Sequence, residues 1–279
     1  MRTGTLARLL GSRRGVIGGV VVALMIATGA LAPAIAPYSY STQSLLQRLK
    51  PPTREHWLGT DGFGRDVLSR VIWGSRISLE IGFFAVAVSL VVGTVLGSVA
   101  GYVGAAVDTG LMRVADMFLS VPALFLILVI VALFGASLVH TALVIALVTW
   151  APVARIVRSE CLSLRGRDFV HAARALGAGP ARILARHVLV NAVPVIIVQG
   201  SLALGQTILI ESGLSYLGLG AQPPLPSWGN MLVEGRQHLA SAWWIATFPG
   251  LAIFVTVLGF NLFGDGLRDA FDPTLRGSS

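Results

Sequence analysis

Long apolar runs separated by short charged ones set the organisation of this chain. Asp, Glu, Lys and Arg are absent from Val16 to Ala36 (inside a run bounded by Arg14 and Arg48), Ile81 to Val107, Met117 to Ala154, His187 to Ile210 and Gln237 to Gly264. About 20 apolar residues in a helix cross a hydrocarbon core of roughly 30 Å, so each run is long enough to span a bilayer. Met117 to Ala154 is too long for one crossing, and Gly135-Ala136-Ser137 supplies a turn between two. The pattern predicts an all-α, polytopic membrane protein with six spans at 16–36, 81–101, 117–135, 138–155, 188–210 and 240–264. Around them it predicts a tail over 1–15, outer loops over 37–78 and 211–239, an inner loop over 156–187 and a tail over 265–279. Residues 79–279 then form a five-helix core, and residues 66–78 are expected as an amphipathic helix at the outer interface.

Within the inner loop the apolar spacing changes. Phe169, Ala172, Ala173 and Leu176 recur at i, i+3, i+4 and i+7 and share one face of a short helix. Asp168 is expected as its N-cap and Gly177 at the left-handed position after its end. Gly179-Pro180 then opens a second helix with Pro180 at N1, where a missing N–H costs nothing, and this helix runs on toward the fifth span. Pro194 should bend that span. A small greasy face between long spans is the kind of surface that docks into another protein.

Composition agrees with a bilayer. Hydrophobic residues make up 54% of the 279, charged residues only 12%, and the formal net charge is +8. The basic residues lie between apolar runs and not on a polar face with interleaved aromatics, so no nucleic-acid partner is expected. With both termini inside, 14 of the 21 Lys and Arg residues fall on the inner side. The positive-inside rule therefore places both termini in the cytoplasm. Trp57, Trp73, Trp228, Trp243 and Trp244 would then sit near the outer interface, where an indole N–H stays wet, with Trp150 the exception. Arg2, Arg8, Arg13 and Arg14 before the first run, and Ala34-Ile35-Ala36 after it, resemble a secretory leader. The length of the run and Pro37 favour a retained span.

Chemistry is sparse. No ionisable group falls in the middle of a span; Glu80, Asp108, Asp116 and Glu211 sit at the ends. An ion-coupled carrier usually needs such groups at membrane depth, which disfavours that class. The only lysine, Lys50, has no phosphate-loop context, so the chain does not bind ATP that way. The five histidines lack metal-ligand spacing, the lone Cys161 makes neither a disulfide nor a cysteine metal cluster, and no catalytic constellation is visible. Neither an enzyme active site nor a metal site is expected. Asn191, Gln199 and Gln206 either bond between helices or line a wet pathway, Gln199 and Gln206 being seven apart on one face. The segment Gly213 to Gly229 is too rich in Gly and Pro for regular helix throughout. Gly213, Tyr216, Gly218, Gly220 and Trp228 in it are candidates for an outer gate or partner contact, against an ordinary connector.

The run Asp168-Phe-Val-His171-Ala172-Ala173-Arg174-Ala-Leu176-Gly177, with Ile183 and Leu189 beyond it, resembles the "EAA" loop of binding-protein-dependent permeases. Other blocks strengthen the likeness: His56 to Asp61, Gly64 to Arg70, Gly101-Tyr102 with Asp108 and Leu111-Met112-Arg113, Glu211 to Gly220, and Pro223-Pro224 through Ser227 to Asn230. Together they resemble the C-type permease of dipeptide and oligopeptide ATP-binding-cassette importers over nearly the whole chain. The resemblance implies a type I importer permease fold in a bacterial or archaeal plasma membrane, with Asp168 to Gly177 as the helix that rests in a groove of an ATPase subunit. It implies a B-type permease, two ATPase subunits that hold ATP and Mg, an external solute-binding protein and surrounding lipid as partners, with no cofactor in this chain. Nickel, metal-chelate, glutathione and other small-solute systems share this subunit type. Where the family usually has Glu and Pro, this chain has His171 and Val190. With Asp168 as N-cap, His171 would occupy N3, where Glu completes a reciprocal capping box that His cannot make as an anion.

Overall fold

A computed structural model describes residues 2–271 except residue 136, with side chains from Ala7 onward; Ala136 of the expected turn and Arg276 of the expected tail lie outside the described residues. Every regular element described is helical: α1 (Arg2–Gly11), α2 (Arg13–Ala30), α3 (Ala32–Ile35), α4 (Val67–Val103), α5 (Ala105–Ser120), α6 (Ala123–Phe134), α7 (Leu138–Arg165), α8 (Asp168–Ala175), α9 (Pro180–Ile183), α10 (Leu189–Tyr216), α11 (Trp228–Arg236) and α12 (Trp244–Phe271). Five helical stretches are long and apolar enough to span: α2, α4, α7, α9 continued into α10, and α12. The pair α5 and α6 supplies a sixth, bent by 85°.

That bend replaces the straight third span expected over 117–135. Val121 precedes Pro122, whose ring disfavours helical backbone at the residue before it, and Val121 is extended at φ −98° and ψ 129°. The helix stops at Ser120 and restarts at Ala123. The outer segment 66–78 also differs from expectation. Asp66 caps α4, its carboxylate accepting from the Ser69 backbone N–H at 2.7 Å, and the helix then runs unbroken to Val103. Residues 67–78 are thus the first turns of the span expected over 81–101. Val67, Ser69, Arg70, Gly74, Ser75, Ile77 and Ser78 are buried, which a helix lying on an interface would not allow.

Other boundaries reach further than the charge-free runs. Of the expected tail over 1–15, residues 2–11 and 13–15 are helical, α7 continues past 155 to Arg165, α10 past 210 to Tyr216 and α12 past 264 to Phe271. Charged side chains end an apolar run without ending a helix, because several find partners between helices: Arg158 donates to both oxygens of Asp108, and Arg165 donates to the Gly101 carbonyl at 3.2 Å.

The bundle is closed by backbone approach, the usual means where lipid is as apolar as the helix faces. On α4, Gly93, Gly97 and Gly101 form one stripe against α7. A Cβ at Gly97 would lie 2.3 Å from the Ala154 carbonyl oxygen, and one at Gly101 would lie 2.6 Å from that of Arg158. The two helices therefore run side by side in one direction, and the end of α4 at Val103 shares an end of the bundle with α8. The start of α4 at Val67 marks the opposite end.

Candidate functional site

Three regions carry the residues singled out by the sequence. At the α8 end, the helix begins one residue earlier than expected. Arg167 has extended backbone, and its carbonyl accepts from Val170 at 2.9 Å and His171 at 3.2 Å, so Arg167 is the N-cap and Asp168 is N1. No side chain caps this helix, and His171 stands at N4, outside any capping box. Its C-terminal stop follows expectation: Gly177 has φ +82°, its N–H donates to Arg174, and the next N–H donates from Ala178 to Ala173. This is the paired arrangement that a left-handed residue allows.

The apolar face of α8 divides. Val170 and Ala173 are buried, in one cluster with Val153, Val157 and Cys161 of α7, Ile183 of α9 and Val188. Ala173 therefore belongs to the chain's own core and not to a docking face. Phe169 and Leu176 are 40% and 89% exposed, and Ala172 is exposed between them. One side of α8 anchors it and the other presents three apolar residues outward, with exposed Arg174 beside them. Pro180 opens α9 at its first turn. Between α9 and α10, Leu184–Val188 is a π-helical turn in which the Leu189 N–H reaches back to Leu184. Such turns are frequently found at functional sites. Val190 follows it, exposed.

The second region is a cavity of about 280 Å³ between the Val121-Pro122 break, α7 and α10. Gln199, Gln206, Thr149 and Thr207 supply polar groups to its otherwise apolar wall. Asn191 is not part of it; its amide donates 2.5 Å back to the His187 carbonyl in the preceding π-helical turn.

The third region is the opposite end. Gly213 to Tyr216 still belong to α10, Gly218 has φ +80°, and regular helix resumes only at Trp228. Gly220 packs so closely on Ser215 that a Cβ there would lie 1.9 Å from its hydroxyl. Trp228 is fully buried, its indole donating 3.0 Å to the Val71 carbonyl, and Trp244 donates 3.1 Å to that of Thr60. Neither keeps its N–H in water, and Trp228 is out of reach of any external partner. Trp57 and Trp243 remain exposed. Tyr216 is exposed and accepts from Arg236 at 3.3 Å.

Here the sequence reading missed a buried ionic cluster. Asp61, wholly buried, accepts from Arg65 Nε at 2.7 Å and from Arg70. Both guanidiniums also donate to Glu234 of α11, at 2.7 and 2.5 Å. His56 pairs with Asp66 at 2.9 Å beside it. The motif blocks His56 to Asp61 and Gly64 to Arg70 signalled these residues, but Glu234 lies far away in the sequence and no spacing points to it. Glu211, read as lying at a span end, is fully buried with one oxygen accepting from Ser215 at 2.7 Å and the other without a partner among the described residues.

Residues 93–277 match the family described as binding-protein-dependent transport system inner membrane component, and residues 4–52 match the N-terminal transmembrane domain of oligopeptide transport permease C. The chain belongs to this permease family. It is 43% identical over 265 residues to a dipeptide transport system permease protein of Alkalihalophilus pseudofirmus, covering 95% of this chain and 87% of that one. A glutathione transport system permease protein of Pectobacterium atrosepticum is 42% identical over 270 residues, covering 96% and 90%. An oligopeptide transport system permease protein of Bacillus subtilis is 38% identical over 269 residues, covering 96% and 88%. The chain is accordingly a multi-pass inner-membrane transport subunit.

Proposed function

We propose that this chain is the C-type permease subunit of an ATP-driven, binding-protein-dependent importer of dipeptides and oligopeptides. The observation that carries the reading is the outward face of α8: Phe169, Ala172 and Leu176 stand free on a short helix whose other side is packed into the bundle. An exposed apolar face on an anchored helix fits a groove in a separate motor. Both termini and α8 then lie in the cytoplasm, as the distribution of arginines favours. Two ATPase subunits hold ATP and Mg and engage α8, while this chain carries out no covalent chemistry.

A B-type permease closes the other side of the pathway, to which the cavity beside Gln199 and Gln206 contributes amide groups suited to peptide backbone. Closure of the ATPases moves α8. Because α8 is tied through Gly177 and Pro180 to the π-helical turn, the motion re-orients α10 as a rigid body. Peptide cargo rests on the dipeptide and oligopeptide relatives, and the glutathione relative favours glutathione, itself a tripeptide derivative, as the second reading.

The test is a Leu176→Asp substitution in the reconstituted complex. Leu176 makes no packing contribution to the bundle, so the thermal midpoint should stay within a degree or two of wild type. Dipeptide uptake and substrate-stimulated ATP hydrolysis should fall at least tenfold. Unchanged stimulated turnover would overturn the coupling role of α8. Competition of labelled dipeptide uptake by excess glutathione separates the two cargo readings.

A further inference from the structure

Three helices bring oxygen atoms to the carboxylate of Glu211 and leave several of them unsatisfied. Glu211 is fully buried on α10, and its Oε1 accepts from Ser215, one turn further on, at 2.7 Å. Around the same carboxylate stand the hydroxyls of Ser78 from α4, Ser212 from α10 and Ser227, the N-cap of α11. All four serines are buried. Glu211 Oε2, Ser78 Oγ and Ser212 Oγ have no hydrogen-bond partner among the described residues. Hydroxyls that flank a carboxylate oxygen without bonding to it are spaced for a body held between them.

The surrounding backbone shuts this point off from water. The Ala221 N–H donates to Ser215 Oγ at 3.3 Å, which folds the irregular segment 217–227 back onto the end of α10. Gly229 lies so close to α10 that a Cβ would stand 2.3 Å from the Ser212 carbonyl oxygen, and Trp228 packs on Gly74, about one turn before Ser78 on α4. Among the described residues no Lys, Arg or His side chain pairs with Glu211. An uncompensated charge in so dry a place costs several kcal/mol, so it has to be balanced within the site. A water molecule would bridge the oxygens and leave the charge. A proton would cancel the charge, but it sits on one oxygen and does not bridge hydroxyls that stand apart from it. A divalent ion would replace one uncompensated charge by another. Ligands that are all oxygen, with a single negative charge among them, suit a hard monovalent cation.

We propose that Glu211, with Ser78, Ser212 and Ser227, binds a monovalent cation of the sodium type. Ser215 holds Oε1 and so turns Oε2 toward the ion. The ion ties α4, α10 and the start of α11 together at the end of the bundle opposite α8, and its role is to hold the base of segment 217–227 and not to move across the membrane.

The test uses the protein purified with its companion chains, with choline chloride replaced stepwise by sodium chloride at constant ionic strength. The thermal midpoint should rise as sodium increases and keep rising with its logarithm beyond half-saturation, as binding to the folded state alone requires. Ser78→Ala keeps the charge and removes one ligand, so the sodium concentration that gives half-saturation should increase about tenfold. Glu211→Gln keeps the shape and removes the charge, and its midpoint should be the same in sodium and in choline. Equilibrium dialysis against radioactive sodium should show one saturable site whose affinity falls in Ser78→Ala. Sites on the companion chains are common to wild type and variant, so the difference between the two reports on this chain, and it does so even if Glu211→Gln fails to fold. A wild-type midpoint that is equal in sodium and choline, or an identical sodium response in wild type and Ser78→Ala, overturns the proposal. Stabilisation by acid without any response to sodium assigns the balancing charge to a proton and overturns it equally.

Discussion

At the loop end of the bundle, Asp61 is wholly buried and accepts from two guanidiniums, which also hold Glu234; at the other end, α8 is pinned by Val170 and Ala173 and leaves Leu176 89% exposed. One region is irregular in backbone and over-determined by charge-assisted bonds. The other is regular in backbone and held by a few apolar contacts. Charge-assisted bonds in a buried site are strong and directional, so they fix a single arrangement. Apolar contacts are non-directional, and a helix resting on two small side chains can shift without leaving unpaired groups behind. The contrast suits the coupling role proposed for α8, in which one end keeps its shape while the other moves.

The largest effect is expected from removing the centre of the cluster. Asp61→Ala leaves Arg65 and Arg70 facing each other with only Glu234 between them. Truncating one partner of a buried ionic network costs about 3–5 kcal/mol. Little folded protein should survive detergent extraction, as read by fluorescence-detected size exclusion, and heating curves of the remainder should shift strongly downward. Asp61→Ala with a wild-type melting profile would show that the loop is held by something other than its charges.

Next in size is the seam that joins the two ends. Gly97→Val places a side chain against the Ala154 carbonyl, and backbone cannot step aside as a flexible side chain can. Overpacking costs about 1–3 kcal/mol where neighbours can adjust, and this site lies at or above the upper figure. Gly110→Ala on α5, where a Cβ meets nothing within 4 Å, is the matched control and should melt no lower than wild type. Equal losses from both substitutions would mean that the α4–α7 contact does not set the response, since replacing a helical glycine by either residue raises helix propensity.

How far the residues alone led follows from the same contrast. Periodicity found α8 and its Gly177 stop because a helix face and a left-handed turn are local properties. It could not tell which of Phe169, Ala172, Ala173 and Leu176 turn inward, since the wall that buries Ala173 is built from Val153, Val157 and Ile183, distant in sequence. Charge-free runs located the spans but misplaced their ends, because Arg70, Arg158 and Glu211 are buried or paired inside helices instead of terminating them. Pro122 was a readable local signal for the α5–α6 bend; the apolar run around it masked it. The ionic cluster needed Glu234 to be brought to Arg65 and Arg70 from α11, which no local pattern announces.

The smallest expected effect tests whether the α8 end is as loosely held as its contacts suggest. Gly177 sits at φ +82° with nothing within 4 Å of where a methyl would stand, so Gly177→Ala meets no steric neighbour and pays only for the left-handed backbone. That cost is roughly 1–2 kcal/mol for an L-residue, and Asn should cost less because it visits this conformation more readily. If α8 unfolds locally, as a weakly packed segment can, the loss falls on α8 alone and not on the whole bundle. Hydrogen exchange of amides 170–178 should then accelerate about 5- to 30-fold, the factor that such an energy represents, while amides 60–70 behind the ionic cluster keep their protection. Coupled ATP hydrolysis should decline in the same order, wild type above Asn above Ala, as the docking role proposed for α8 requires. Equal acceleration at both ends would mean that α8 opens only with global unfolding, and the moving end would have to be sought elsewhere along α9 and the π-helical turn.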